Sequence, residues 1–193
     1  MEIRNSLHPS DYDSLGELLY ESFKDKLSVA IDSKEIALSI INESINHHMG
    51  FYAFDDKGEL AGVIGIITKA ESFYKVKYSA IRKQYPFFKA LKCYVLLKIE
   101  SSMSVKKDEM YIVAFTVKYT HRGQGIGSKL FIHALGSYKK AGYRKSKLTV
   151  IEKNDNAIHL YKKAGFVITK KHNYGFLTKK AGFRIVYSME KML

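Results

Sequence analysis

The chain has 193 residues, 46% of them hydrophobic and 26% charged, and a net charge of +13. That length suits one sizeable core and would leave two independent domains small, so a single domain over 1–193 is expected. No run of about 18 apolar residues offers a membrane span, no targeting segment opens the chain, and a lone Cys93 excludes a disulfide framework or a Cys/His zinc site. A cytoplasmic protein without metal or membrane is therefore expected.

Charge is unevenly spread. Residues 1–69 hold 6 Lys+Arg against 12 Asp+Glu, so residues 70–193 carry +19. Such a basic portion suits a nucleic acid, a membrane surface or a polyanionic cofactor, and charge alone does not select among them.

Residues 3–7 read as a short strand. Ser10 is expected to cap a helix, with Asp11 and Asp13 against its dipole and Leu15, Leu18, Leu19 and Phe23 on its apolar face. A second helix is expected over 33–48, with Ile36, Ile40, Ile41 and Ile45 on one side. Residues 50–54 and 60–68 form an expected antiparallel pair joined by a turn at 55–58. Residues 70–107, with nine Lys+Arg against two Glu, read as helical and interrupted at Pro86. There Phe88, Leu91, Val95 and Ile99 lie at helical spacing and are expected to pack on the body, with a partner or membrane the alternative. A strand over 110–117 then meets a loop over 118–127 and a helix over 128–141. A strand at 148–151, a helix at 155–164 and strands at 166–171 and 183–189 complete a mixed α and β order without internal repeats.

The loop Arg122-Gly123-Gln124-Gly125-Ile126-Gly127 joins a strong strand to a strong helix. Its three glycines let the backbone turn with its amides inward, and such amides at a helix N-terminus bind phosphate. A Walker A loop would need Gly-Lys-Ser/Thr, whereas Gly127 is followed by Ser128-Lys129; a dinucleotide turn would need G-x-G-x-x-G, which this spacing does not give.

The pattern Arg-x-x-Gly-x-Gly at Arg122, Gly125 and Gly127 resembles the pyrophosphate loop of the GNAT superfamily of acetyl-CoA-dependent N-acetyltransferases. The run from Asn154 through Tyr161 to Gly165-Phe166, with its asparagine seven residues before a tyrosine, resembles that superfamily's closing motif. The likeness is specific over about 110–166. It implies an α/β (α+β) fold with a central mixed, mostly antiparallel sheet of six to seven strands flanked by helices, here with a helical insertion around 70–107. It also implies direct transfer of an acetyl group from acetyl-CoA to an amine of a small molecule or protein.

Residue by residue, the resemblance assigns Phe115, Thr116 and Val117 to a splayed strand whose backbone holds the pantetheine arm. It gives Arg122, Gly123, Gln124, Gly125, Ile126, Gly127 and Ser128 to the pyrophosphate, and Asn154 to the pantetheine. Tyr161 stands where the family keeps a general acid, with packing against the cofactor as the alternative. The positions where members carry a basic glutamate hold Tyr111 and Thr149 here. Glu109 is a first guess for the base, with Glu152, His121 and His159 as other candidates. Lys118, Arg122 and Lys129 could steer the cofactor, and the acids Glu17, Glu21, Asp25, Asp32 and Glu35 would suit a cationic acceptor. A noncatalytic acyl-CoA-binding regulator is the second reading. A nucleic-acid binder is the third and is not expected, for no binding motif accompanies the charge. A homodimer through residues 70–107 or the last strands is left open.

Overall fold

A computed structural model describes residues 1–101, 103–175 and 182–193, with the side chains of residues 99–101 outside the description. Its strands are β1 (Glu2–Arg4), β2 (Gly50–Phe54), β3 (Leu60–Ile67), β4 (Glu109–Val117), β5 (Lys145–Ile151), β6 (Val167–Asn173) and β7 (Ile185–Met192). Its helices are α1 (Tyr12–Leu27), α2 (Lys34–Ser44), α3 (Tyr78–Gln84), α4 (Phe87–Ser101), α5 (Ile126–Lys140) and α6 (Asp155–Lys163). The strands form one sheet in the order β1-β2-β3-β4-β5-β7-β6. Every pairing is antiparallel except β4–β5. A parallel pair needs a crossover, and α5 supplies it.

The expected order of elements is present, as is the mixed, mostly antiparallel sheet. All eight residues of β3 are buried, because helices cover both faces. Several local expectations change. Ser10 does not cap α1: its hydroxyl bonds His8 Nδ1 at 2.8 Å, and a short 3-10 turn at Pro9–Asp11 precedes the helix. Ser33, by contrast, caps α2, accepting from the Ile36 amide at 3.2 Å.

The expected helix over 70–107 begins only at Tyr78, and residue 102 lies outside the described residues. The stretch before Tyr78 is extended, with bridges Ile67↔Ser72 and Ile45↔Tyr74. Phe73 explains it. Its amide donates to the Ile66 carbonyl at 2.8 Å, and its fully buried ring fills the place a side chain would take on β3, since a Cβ at Gly65 would stand 2.4 Å from Phe73 Cδ1. Burying a whole aromatic ring outweighs the stretch's weak helix preference.

The face of α4 is also corrected. Ala90 and Cys93 are the buried residues, whereas Phe88 is 83% exposed and Leu91 and Val95 stand in solvent. The side chain of Ile99 lies outside the described residues. Cys93 packs with Ile31, Ala37, Ile40, Ile81 and Tyr85, and burial pushes its thiol up to about 11.

Candidate active site

The site begins where β4 and β5 part. Their pairing runs from Glu109↔Lys145 to Ile112↔Leu148 and then stops, while β5 continues against β7 as far as Ile151↔Val186. On its other edge β4 stays paired with β3 to Val117, but Gly65 opposes Ala114 and Ile66 opposes Ile112. Val113 is thus the extra residue of a β-bulge. Such a bulge bends its strand, and this one falls one residue past the last β4–β5 pair. The β5-facing backbone of residues 113–117 is left without a strand opposite.

The opening holds a cavity of about 200 Å³, lined among others by Val113, Phe115, Thr149, Asn154 and Tyr161. Thr116 points the other way, to α1. Ser22 donates to the Leu18 carbonyl at 2.7 Å, so its single proton is engaged, and Thr116 donates to Ser22 Oγ at 2.6 Å. This bond locks α1 against the free end of β4.

In the loop between β4 and α5, Gly123 and Gly125 have φ of 78° and 76°. A Cβ at either would meet nothing within 4 Å, so the glycines serve the turn and leave open space before it. Lys129 N makes the first intrahelical bond of α5, to the Gly125 carbonyl at 3.1 Å. The amides of Ile126, Gly127 and Ser128 precede it and have no intrahelical acceptor. Arg122 braces the loop, its Nε donating to the Val117 carbonyl at 3.1 Å and its guanidinium lying over the Tyr119 ring. Free amides, helix dipole and open space fit a pyrophosphate.

Asn154 caps α6, its Oδ1 accepting from the Ala157 amide at 3.2 Å, which leaves its side-chain NH2 to donate toward the cavity it lines. Tyr161, on α6, is 6% exposed. It is packed against Phe115, Phe131 and Phe166, with ring centroids 5.3–6.2 Å away. Burial, reinforced by nearby Tyr111, raises the Tyr161 phenol above its ordinary range, so it keeps its proton at neutral pH.

The structure brings Phe115, Asn154 and Tyr161 to one cavity; the loop meets its wall through Gly127, where a Cβ would stand 3.3 Å from Phe115 Cζ, while Arg122 lines a separate cavity. The structure does not bring Glu109 to the cavity of Tyr161. Glu109 begins β4, six residues before Phe115 and thus about 20 Å away along an extended strand, and its buried carboxylate accepts from Lys147 Nζ at 2.7 Å and the Lys106 amide at 3.0 Å. Burial pushes that carboxyl up, but Lys147 and the Lys106 amide outweigh it and hold it below its usual value.

The other candidates for a base are also engaged or distant. Glu152 accepts from the Arg184 amide at 3.0 Å through Oε1, its Oε2 has no partner among the described residues, and it does not line the cavity; His121 faces Asp55 at 3.1 Å, and His159 is exposed on α6. Tyr111 and Thr149 bond each other at 2.7 Å, tying β4 to β5 beside the point where they part. Among the acids of the first two helices, Glu17 pairs with Lys34, Glu21 with Lys24 and Asp32 with Lys89. Asp25 instead lines the cavity beside Tyr161. The bulge at Val113, the Ser22–Thr116 bond and the place of Asp25 carry no motif; a single β-branched residue within a β-former run gives no sign of a bulge.

The profile of the Acetyltransferase (GNAT) family matches residues 12–166, and the chain belongs to that family. No curated protein sequence matches it. Among solved structures, an N-acetyltransferase from Staphylococcus aureus Mu50 is similar at 19% identity and a TM-score of 0.69, covering 99% of this chain and 100% of that one. Ard1 from Thermoplasma volcanium is similar at 19% and 0.62, over 100% and 97%. The ribosomal-protein-S18-alanine N-acetyltransferase from Escherichia coli is similar at 18% and 0.59, over 99% and 92%. These likenesses establish the fold. Among the described residues no helix is long and apolar enough to cross a membrane.

Proposed function

We propose that this enzyme transfers the acetyl group of acetyl-CoA directly to a primary amine of a small molecule or protein. The observations that carry the reading are the unpaired β4 backbone and buried Tyr161 along one cavity, with Gly127 of the α5 N-terminus against Phe115 of its wall.

The loop amides and Arg122 hold the pyrophosphate, and the free edge of 113–117 with the Asn154 amide holds the pantetheine arm. A backbone N–H of that edge, aimed at the thioester oxygen, stabilises the negative charge that grows there, an effect typically worth about 3 kcal/mol. As the amine nitrogen attacks, a C–N bond forms and the C–S bond breaks, its electron pair leaving on sulfur. Tyr161 donates its proton to that sulfur and is reprotonated from solvent. The new ammonium centre loses its proton through Asp25, the carboxylate that lines this cavity among the described residues.

A noncatalytic acyl-CoA binder is the second reading, favoured by Tyr111 and Thr149 bonding each other where relatives carry glutamate. Saturation with acetyl-CoA at about 100 times its Kd adds about 2.7 kcal/mol of stability, a Tm rise of roughly 5 to 10 °C. No rise sinks both readings. A rise without release of CoA thiol across an amine panel leaves the binder.

A further inference from the structure

The first turn of α4 carries two adjacent phenylalanines that the body of the protein leaves uncovered. Phe87 is 54% exposed and Phe88 83%, with their rings edge to face and centroids 5.4 Å apart. Leu91 and Val95, both exposed, continue the line three and seven residues after Phe88. The opposite stripe, Ala90, Cys93 and Leu97, packs in the cluster of Ile81 and Tyr85. The helix is thus apolar on both sides, a pattern that ordinarily calls for cover on both. At about 200 Å² a ring, the two phenylalanines alone leave about 270 Å² in water. With Leu91 and Val95 the stripe reaches the size at which an exposed apolar patch serves contact.

The rim of the stripe is basic. Lys92 is exposed one turn after Phe88, and Lys98 follows Val95 by three residues. Residues 69–98 hold 8 Lys+Arg and a single acid, Glu71, for a net +7. Asp32 and Glu43, from outside this span, pair with Lys89 and Lys83, which leaves +5 of the +7. Beyond Val95 the stripe meets an open hollow of about 670 Å³, where Lys98 and exposed Met103 stand with Lys69, Lys75 and Lys77.

We infer that α4 seats the protein on the surface of a lipid bilayer bearing anionic headgroups, with Phe87, Phe88, Leu91 and Val95 entering the acyl boundary and the lysines resting among the headgroups. No described helix is long and apolar enough to cross a bilayer, so the contact is with one leaflet. Lysine suits the rim, because its stem lies along apolar surface while its ammonium reaches outward. An anionic leaflet attracts a basic segment within a Debye length, and its fluid surface closes around a protruding ridge. A second copy of the chain fits less well, since a symmetric contact sets the same lysines against one another. A protein partner of standard interface size covers about 800 Å² per side, well beyond the stripe. Duplex nucleic acid takes up the lysines but leaves the four apolar side chains in water. None of these residues lines the cavity of Tyr161, so the inference stands apart from the acetyl-transfer reading.

The test is co-sedimentation of the full chain with vesicles of phosphatidylcholine, alone or with about one third phosphatidylserine, at about 0.15 M salt. Binding to the mixed vesicles is expected to exceed binding to the neutral ones by at least tenfold. Phe88→Ser should lower the partition coefficient at least tenfold and keep the Tm, because that ring stands almost wholly outside the core; Leu91→Asp is a second variant of the same stripe with the same expected loss. Lys92→Glu should lower it at least fivefold, the worth of one lysine near an anionic surface. Lys139→Glu makes the same change of net charge at an exposed position of α5 and should leave binding within twofold. Absence of binding, equal binding to neutral vesicles, or binding retained by both Phe88→Ser and Leu91→Asp overturns the inference. Equal loss in Lys92→Glu and Lys139→Glu also overturns it, for binding then follows the net charge and not α4. A dimer in sedimentation equilibrium that Phe88→Ser dissociates would assign the stripe to a second copy, and duplex DNA binding that Phe88→Ser abolishes would assign it to nucleic acid; either result overturns the lipid seat.

Discussion

Replacing Tyr161 by phenylalanine separates chemistry from packing at this site. The ring is 6% exposed and sits among Phe115, Phe131 and Phe166, and a phenylalanine ring keeps every one of those contacts. Among the described residues its hydroxyl is tied to no partner that removal would orphan, so stability is expected to change by less than about 0.5 kcal/mol, the range of substitutions that break no network. Affinity for acetyl-CoA should hold, since on the proposed reading the pyrophosphate is held by amides near Gly125. Turnover should not: loss of a positioned proton donor typically costs about 10²-fold or more. Burial raises the Tyr161 pKa above the ordinary phenol range, so the donor stays protonated and this group should cause no fall in kcat up to about pH 10. The assay is single-turnover release of CoA thiol, which removes product release from the rate, run beside acetyl-CoA titration and thermal melts. Equal single-turnover rates in the wild type and the Tyr161→Phe variant refute the acid role. A parallel loss of stability and rate would show that the side chain acts through packing.

Glu109→Gln should lower stability by about 1–2 kcal/mol, a figure kept small because Lys147 remains partly in water and screens the pair, while kcat stays as it was; a lost kcat would return Glu109 to the mechanism. Because its folded pKa is depressed, its contribution should be fully present above about pH 4.5 and vanish as pH falls through the folded value, which a denaturant series over pH 3–7 in wild type and variant resolves. Gly65→Ala should cost about 1–3 kcal/mol by overpacking against Phe73, 2.4 Å from the new Cβ, and Gly65→Ala with Phe73→Leu should recover part of it in the same urea titration. Leu91→Asp should leave Tm nearly unchanged while Cys93→Asp lowers it sharply, since Leu91 is 43% exposed and Cys93 2%; the reverse ranking would mean that α4 packs by its other face.

Several parts of the molecule were legible in the sequence because their cause is local. The apolar period of Ile36, Ile40 and Ile41 marks α2, Asp55 and Gly58 close the β2–β3 hairpin, where Gly58 has φ of 79°, and the glycines from Gly123 to Gly127 turn the chain into α5. Asn154 and Tyr161 stood at a spacing that marks one helix and its cap. The face of α4 was not legible. Its residues at Phe88, Leu91 and Val95 and those at Ala90, Cys93 and Leu97 are both apolar and both at helical period, and periodicity names a stripe without saying which stripe the body will cover.

What the sequence by itself determined is therefore the order of strands and helices, the glycine turn at 122–127 and the family to which it points, all set by residues near one another in the chain. The tertiary structure alone decided where β4 and β5 separate, because that depends on a bulge at Val113, left without a partner between the pairs Gly65–Ala114 and Ile66–Ile112. It alone removed Glu109 from the site, since a strand carries its first residue about 20 Å from its seventh. It alone placed Ile41 of α2, Val113 of β4 and Leu97 of α4 around one cavity, for three elements distant in sequence meet only when the sheet and its covering helices close on a common core.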